Sequence, residues 1–118
     1  MKIVYREEIP LKTVSEGNSR EFWGKAYARH RKQKNAVFAV CRSELMQIQP
    51  PCYVMLTRRS PRKFDDDNLV SALKYVRDAV AEILVPGLAV GRADDGHGLT
   101  WYYKQEKGKT AVIIEVLQ

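Results

Sequence analysis

Aspartate is absent from most of this chain: all six lie between positions 65 and 95, and none stands before or after. Cysteine and histidine are scarce too, at two each. Cys41 and Cys52 have neither zinc-ligand spacing nor partner histidines, so a zinc fold and a disulfide framework are both excluded. Two reduced thiols in a cytoplasmic protein are expected. No apolar run approaches the roughly 20 residues of a membrane-spanning helix, so no membrane partner is expected. The opening MKIVYREEIP carries acids by residue 7 and lacks the apolar segment of a signal peptide. Repeats, low-complexity tracts and linkers are also missing.

What remains reads as one domain over residues 1–118, with 45% hydrophobic and 29% charged residues. The net charge of +6 is unevenly spread. Arg20, Lys25, Arg29, Arg31, Lys32 and Lys34 are opposed locally only by Glu21. Arg58, Arg59, Arg62 and Lys63 follow just before the first aspartates. Such a balance favours nucleic acid or another anionic surface as partner and says nothing of specificity.

Alternation of Ile3, Tyr5 and Ile9 predicts a first strand over 2–9, ended by Pro10. LKTVSEGNS reads as a loop. Asn18 with Glu21 has the form of a capping box opening a helix over about 19–47, which Pro50-Pro51 closes. CYVMLT (52–57) is β-rich and apolar, hence a central strand. Arg58 to Lys63 reads as a basic connection. Leu69, Leu73, Val76, Val80 and Ile83 recur at helical spacing and predict a helix over about 66–84, stopped by Pro86-Gly87. LTWYYKQ (99–105) and TAVIIEVL (110–117) read as strands joined by a hairpin turn at 106–109. The expected fold is thus α/β (α+β), a single mixed sheet of about four strands packed by two helices, in the order β-α-β-α-β-β.

Five aspartates form two bunches, Asp65-Asp66-Asp67 and Asp94-Asp95, with Asp78 between them. Capping and the helix dipole account for one or two of the triplet, and a solvated turn beside Gly96 accounts for the pair. A third adjacent carboxylate is harder to place, because like charges repel unless a cation neutralises them. Oxygen ligands suit Mg²⁺ or Mn²⁺, and surrounding lysines and arginines suit phosphates. That combination is what a metal-dependent nuclease needs. At 100° per residue, Asp67, Ser71, Lys74 and Asp78 fall along one stripe, and helical side chains lean toward the N-terminus. Lys74 is therefore expected to point its ammonium toward a phosphate near the metal.

FDDDNLVSALKYVRDAV followed by GRADDGH resembles the RusA-type Holliday junction resolvases, common in phages and prophages. Their pattern is an Asp-x-Asp-Asn at a helix start, a helical Lys with Asp-Ala-(Leu/Val) four residues later, and an Asp-Asp pair before a strand. Asp65-Asp66-Asp67-Asn68, Lys74 with Asp78-Ala79-Val80, and Asp94-Asp95 correspond to these elements. The best-known members place the lysine three residues after the Asn, where this chain has Ser71.

The resemblance implies a Mg²⁺-dependent endodeoxyribonuclease that resolves four-way junctions by paired phosphodiester hydrolysis in recombination and repair, as a homodimer. Asp65, Asp67 and Asp95 would hold one or two metal ions, with Asp94 and Asp78 as supporting ligands. Lys74 would be the catalytic lysine, with Arg62 or Lys63 as substitutes. Asn68 would orient backbone and loop, and Asp66 would point away. The basic residues of 20–34 and 58–63 would line the DNA surface. Trp23, Tyr27 and Trp101 are expected in the core or an interface, with core favoured over base stacking. Two other readings stand beside this one: a non-catalytic DNA-binding protein that retains the fold, and a related Mg²⁺-dependent nuclease for other branched nucleic acids.

Overall fold

The computed structural model describes residues 1–16, 22–63, 66–87 and 97–118, with Asp66 and Asp67 described by their backbone alone. Among them the elements run β1 (Ile3–Ile9), α1 (Trp23–Leu45), β2 (Cys52–Ser60), α2 (Asp66–Ala72), α3 (Lys74–Leu84), β3 (Leu99–Lys107) and β4 (Ala111–Leu117). This is the expected mixed α+β architecture in the expected order, with the second helix in two pieces. The four strands form one sheet, ordered β1-β4-β2-β3. β4 is antiparallel to both β1 and β2, and β2 is parallel to β3.

Burial explains that order. β2 and β4 are apolar on both faces: Val54, Leu56, Thr57, Val112, Ile113 and Ile114 are all buried, which suits interior strands. β3 alternates, burying Leu99 and half-burying Trp101 and Tyr103 while exposing Thr100, Tyr102 and Lys104, which suits an edge. Both crossovers, β1-α1-β2 and β2-α2-α3-β3, link parallel strands and step in the same direction across the sheet. The right-handed rule then puts the helices on one face, and α1 packs on α3 and β1. The core lies between them, built from Val37, Cys41 and Leu45 of α1, Val76 and Val80 of α3, and Val54, Leu56, Ile114 and Val116 of the sheet.

Several local expectations change. The predicted hairpin is absent, because β2 lies between β3 and β4. The connection instead crosses the end of β2: Gly108 donates its N–H to the Ser60 carbonyl at 3.1 Å, and Arg59 pairs with Ala111. Gly108 has φ +155°, and a Cβ there would stand 3.0 Å from Arg59 Cδ, so the glycine serves a close crossing. In β1 the register slips between Ile3 and Tyr5, which pair with the adjacent residues Leu117 and Val116. The bulge reverses the pleat, leaving Ile3 exposed while Tyr5 is buried. The strand β2 extends to Ser60, so Arg58 and Arg59 belong to the sheet, not to the connection.

Helix α1 starts at Trp23, with Phe22 at the cap position making no side-chain cap bond; Asn18 and Glu21, expected as its capping box, lie outside the described residues. It runs unbroken to Leu45. Its buried residues are Gln33, Val37, Cys41 and Leu45, none of them in its first ten positions. The expectation that Trp23 and Tyr27 join the core is therefore overturned: they are 82% and 63% exposed. The helix over 66–84 is interrupted at Leu73, whose φ of −97° and ψ of 5° lie in the bridge region. Its N–H is shared between the Leu69 and Val70 carbonyls, each at 3.2 Å, a local tightening of the turn. No helix among the described residues is long and apolar enough to cross a membrane.

Candidate nucleic-acid interface at the start of the second helix

Strand β2 delivers the chain to the acidic triplet. Its last turn inward is Arg58, a charged residue only 6% exposed in the core-facing row. The guanidinium is held from two sides: Nε donates to Thr13 Oγ1 at 3.2 Å and Nη1 to the Arg62 carbonyl at 2.9 Å. Burial pulls its pKa below the ordinary arginine value. Arg58 thus ties the segment after β1 to the basic connection after β2.

The same segment grips α2. Ser15 Oγ donates to Asn68 Oδ1 at 2.9 Å, and the Glu16 N–H donates to Ser71 Oγ at 3.0 Å. Glu16 then reaches α1, accepting from Arg29 Nη1 and, at 3.0 Å, from Arg29 Nη2. Its Oε1 also lies 2.9 Å from His30 Nε2. Burial pushes the Glu16 carboxyl up, but the bonds from Arg29 and His30 outweigh it and leave the pKa below its ordinary value. His30 stacks on Tyr75 of α3, centroids 3.7 Å apart and planes 15° from parallel. One polar chain therefore joins β2, the 10–16 segment, α2 and α1.

The expected site residues divide accordingly. Asp65, Asp94, Asp95 and Arg20 lie outside the described residues, as do the side chains of Asp66 and Asp67. Asn68 is engaged with Ser15. Lys74 opens α3, is exposed, and sets its Nζ 5.3 Å from the Tyr75 ring centroid. Asp78 is only 7% exposed and lines a cleft of about 470 Å³ between α1 and α3, together with Tyr27, His30, Arg31 and Tyr75. The stripe from Ser71 to Asp78 is thus parted by the break at Leu73: Ser71 faces the 10–16 segment, Lys74 faces solvent, and Asp78 faces α1.

The cations divide as well. Lys25, Arg31, Lys32, Arg62 and Lys63 are exposed. Arg29 is bound to Glu16, Lys34 to Glu82 at 2.7 Å, and Arg59 to Glu8 at 2.8 Å and to the Lys109 carbonyl. The Arg59 bond holds the Glu8 carboxyl below its usual range and raises the arginine. Arg77 donates to the Tyr103 hydroxyl at 2.7 Å and lies 5.2 Å from the Trp101 ring, fixing α3 on β3.

Ser15, Glu16, Ser71 and His30 carry the architecture around α2, and none of them stands out in the sequence. Their contacts span 13 to 55 residues, and only Glu16 offers a hint, as an acid ahead of a basic helix. Among the described residues no group of three His, Cys, Asp or Glu side chains is arranged to hold a metal. The donors that suit one are the carboxylates of 65–67 and 94–95, an all-oxygen set appropriate to a hard cation. Comparison of the chain with protein-family models, with curated proteins and with solved structures finds no match.

Proposed function

We propose that this chain is a Mg²⁺- or Mn²⁺-dependent endodeoxyribonuclease of the RusA type, selective for four-way junctions and acting as a homodimer in the cytoplasm. The observation that carries the reading is the start of α2. A helix opens inside an aspartate triplet, just after the exposed Arg62 and Lys63, and the 10–16 segment holds it at two points, Ser15 on Asn68 in the first turn and the Glu16 N–H on Ser71 near its end. Carboxylates adjacent in sequence at a helix start, within a chain of net charge +6, suit cation-assisted chemistry on a polyanion.

In this reading Asp65, Asp67 and Asp95 hold the cation, with Asp94 supporting them. A cation bound there neutralises the phosphate and lowers the pKa of a coordinated water. Arg62 and Lys63 bind the flanking phosphates, and Lys74 stabilises charge growing on the scissile group. Asn68 keeps the 10–16 segment docked, so that the start of α2 holds its position. Asp78, buried toward α1, serves the helix pair and not the phosphate. Two such sites related by a twofold axis match a junction that must be cut on opposed strands.

A second reading, a junction-binding protein without cleavage, draws on one observation: the position where the resembled family carries its lysine is Ser71, and its hydroxyl is occupied by the Glu16 N–H. One experiment separates the two. A labelled four-way junction and a linear duplex of the same sequence are incubated with the protein, with Mg²⁺ or with EDTA, alongside Asp67→Asn. Symmetric, Mg²⁺-dependent nicking of the junction alone, lost in the variant, supports the resolvase. Junction binding without nicking supports the second reading, and equal cleavage of both substrates points to a nuclease of other specificity.

A further inference from the structure

The first half of α1 projects beyond the core and carries a cluster of rings in water. Phe22, Trp23 and Tyr27 are 62%, 82% and 63% exposed, within six residues. Their placement is not haphazard. The Phe22 ring lies across Gly24, over the spot where a Cβ would come within 2.6 Å of its Cε2, so the missing side chain lets the ring rest on the helix. Trp23 and Tyr27 are separated by four residues and so point to neighbouring sides of one stripe, which continues to Arg31. Clusters of large exposed apolar groups in soluble domains mark interaction surfaces.

Charge decides the partner. From Phe22 to Ser43 the sequence contains six cations and no carboxylate. Lys25, Arg31 and Lys32 on this stretch are exposed, Arg31 on the ring stripe and the two lysines on the other side of the helix. A second copy meeting this ridge about a twofold axis would set the same cations against each other. A polyanion with flat apolar faces meets both requirements. Duplex DNA offers phosphates but keeps its base faces stacked; an unpaired strand offers both. Trp23 and Tyr27 are about 6 Å apart along the helix axis, wider than the roughly 3.4 Å step of stacked bases, so each ring takes one base of an unstacked strand.

We propose that the ridge Trp23–Tyr27–Arg31 binds unpaired nucleic acid, stacking successive bases on Trp23 and Tyr27 while Arg31 holds the backbone. This deepens the proposed function and rests on it, because a branched substrate exposes unstacked bases where its arms meet. Binding of a strand to the ridge needs no metal, so its test is independent of cleavage.

The experiment measures fluorescence anisotropy of a short labelled oligothymidylate and of a matched duplex, in EDTA, with wild type, Trp23→Ala, Tyr27→Ala and Trp23→Phe. Removing a stacking ring should weaken oligothymidylate binding by roughly 5- to 150-fold, leaving duplex affinity within twofold of wild type and unaltered circular dichroism. Trp23→Phe should retain most of the affinity. Equal oligothymidylate affinities across the series would overturn the proposal. So would an unchanged affinity accompanied by lost self-association or lost binding to anionic vesicles, either of which would assign the ridge to another partner. Absence of junction nicking by the wild type in the previous experiment, with the stacking result intact, would remove the nuclease and leave the ridge standing.

Discussion

Glu16→Gln tests whether the polar chain around α2 holds the fold together. The carboxylate is 16% exposed and takes two bonds from Arg29 as well as the His30 contact, while its backbone N–H reaches Ser71. A glutamine keeps the shape and one acceptor but removes the charge. Charge-assisted bonds contribute about 1.5–3 kcal/mol each and do not add simply, so a loss of about 1–3 kcal/mol at pH 7 is expected. The pH dependence follows from the lowered carboxyl pKa. A depressed folded-state value stabilises the protein fully above the unfolded value, here 4.5, and that contribution disappears as pH falls through the folded value. Below both, the carboxyl is protonated in either state and the variant loses its disadvantage.

Urea unfolding followed by circular dichroism at a series of pH values measures this directly. The gap between wild type and Glu16→Gln should be constant from pH 7 down to about 5 and should close below 4.5, with the urea slope unchanged. A gap that stays constant to pH 3 would mean that the substitution acts through packing and not through the ionised carboxylate. Pairing the change with Arg29→Met adds a second check. The two effects should fall short of additivity by 0.5 kcal/mol or more, on the order expected of residues in one network.

Leu56→Ala removes a fully buried side chain from an interior strand and should cost about 2–5 kcal/mol in the same unfolding assay; less than 1 kcal/mol would contradict the placement of β2 between β3 and β4. Gly108→Val should cost about 1–2 kcal/mol, because its φ of +155° disfavours a β-carbon and the Arg59 side chain must give way, whereas a neutral outcome would favour an ordinary turn over a close crossing.

The fold was readable where burial is written into composition. CYVMLT and TAVIIEVL are apolar on consecutive residues, and both prove to be interior strands. Their neighbours were harder to identify. A Gly in a four-residue connection suggests a hairpin locally, but nothing local announces that β2 takes the place between β3 and β4. Trp23 and Tyr27 keep helical spacing with Ala26 and His30, which is the pattern of a buried face. The pattern does not reveal that α1 overhangs the core before Gln33. Ile3 failed for a related reason: alternation assigns a face, and a single bulge reverses it.

For the candidate site, the aspartates and exposed cations could be picked out by type, since carboxylates crowded in a basic chain need an explanation. The brace around them could not, because Ser15, Glu16 and Ser71 are ordinary residues whose partners are distant in sequence. Their positions become meaningful only once β1, β2 and α2 converge. Arg58 shows how position adds to type. By type it belongs with the phosphate binders, yet its position in the core-facing row of β2 commits it to Thr13 and the Arg62 carbonyl.

The displaced lysine is the remaining question, and the brace offers an answer to it. Ser71 stands where the resembled family has lysine, and its Oγ accepts the Glu16 N–H at 3.0 Å; a lysine there would leave that donor without its acceptor. Lys74 lies about 4.5 Å further along the axis, beyond the break at Leu73, and is exposed. Holding the segment and offering a charge thus fall to different residues. Lys74→Ala should therefore lower Mg²⁺-dependent junction nicking by on the order of 10²–10³ without moving the urea midpoint. Ser71→Ala should do the reverse, costing about 1 kcal/mol of stability while retaining most of the nicking rate. If Lys74→Ala nicked at the wild-type rate, the charge would have to come from the exposed Arg62 or Lys63, and the same assay on those variants would locate it.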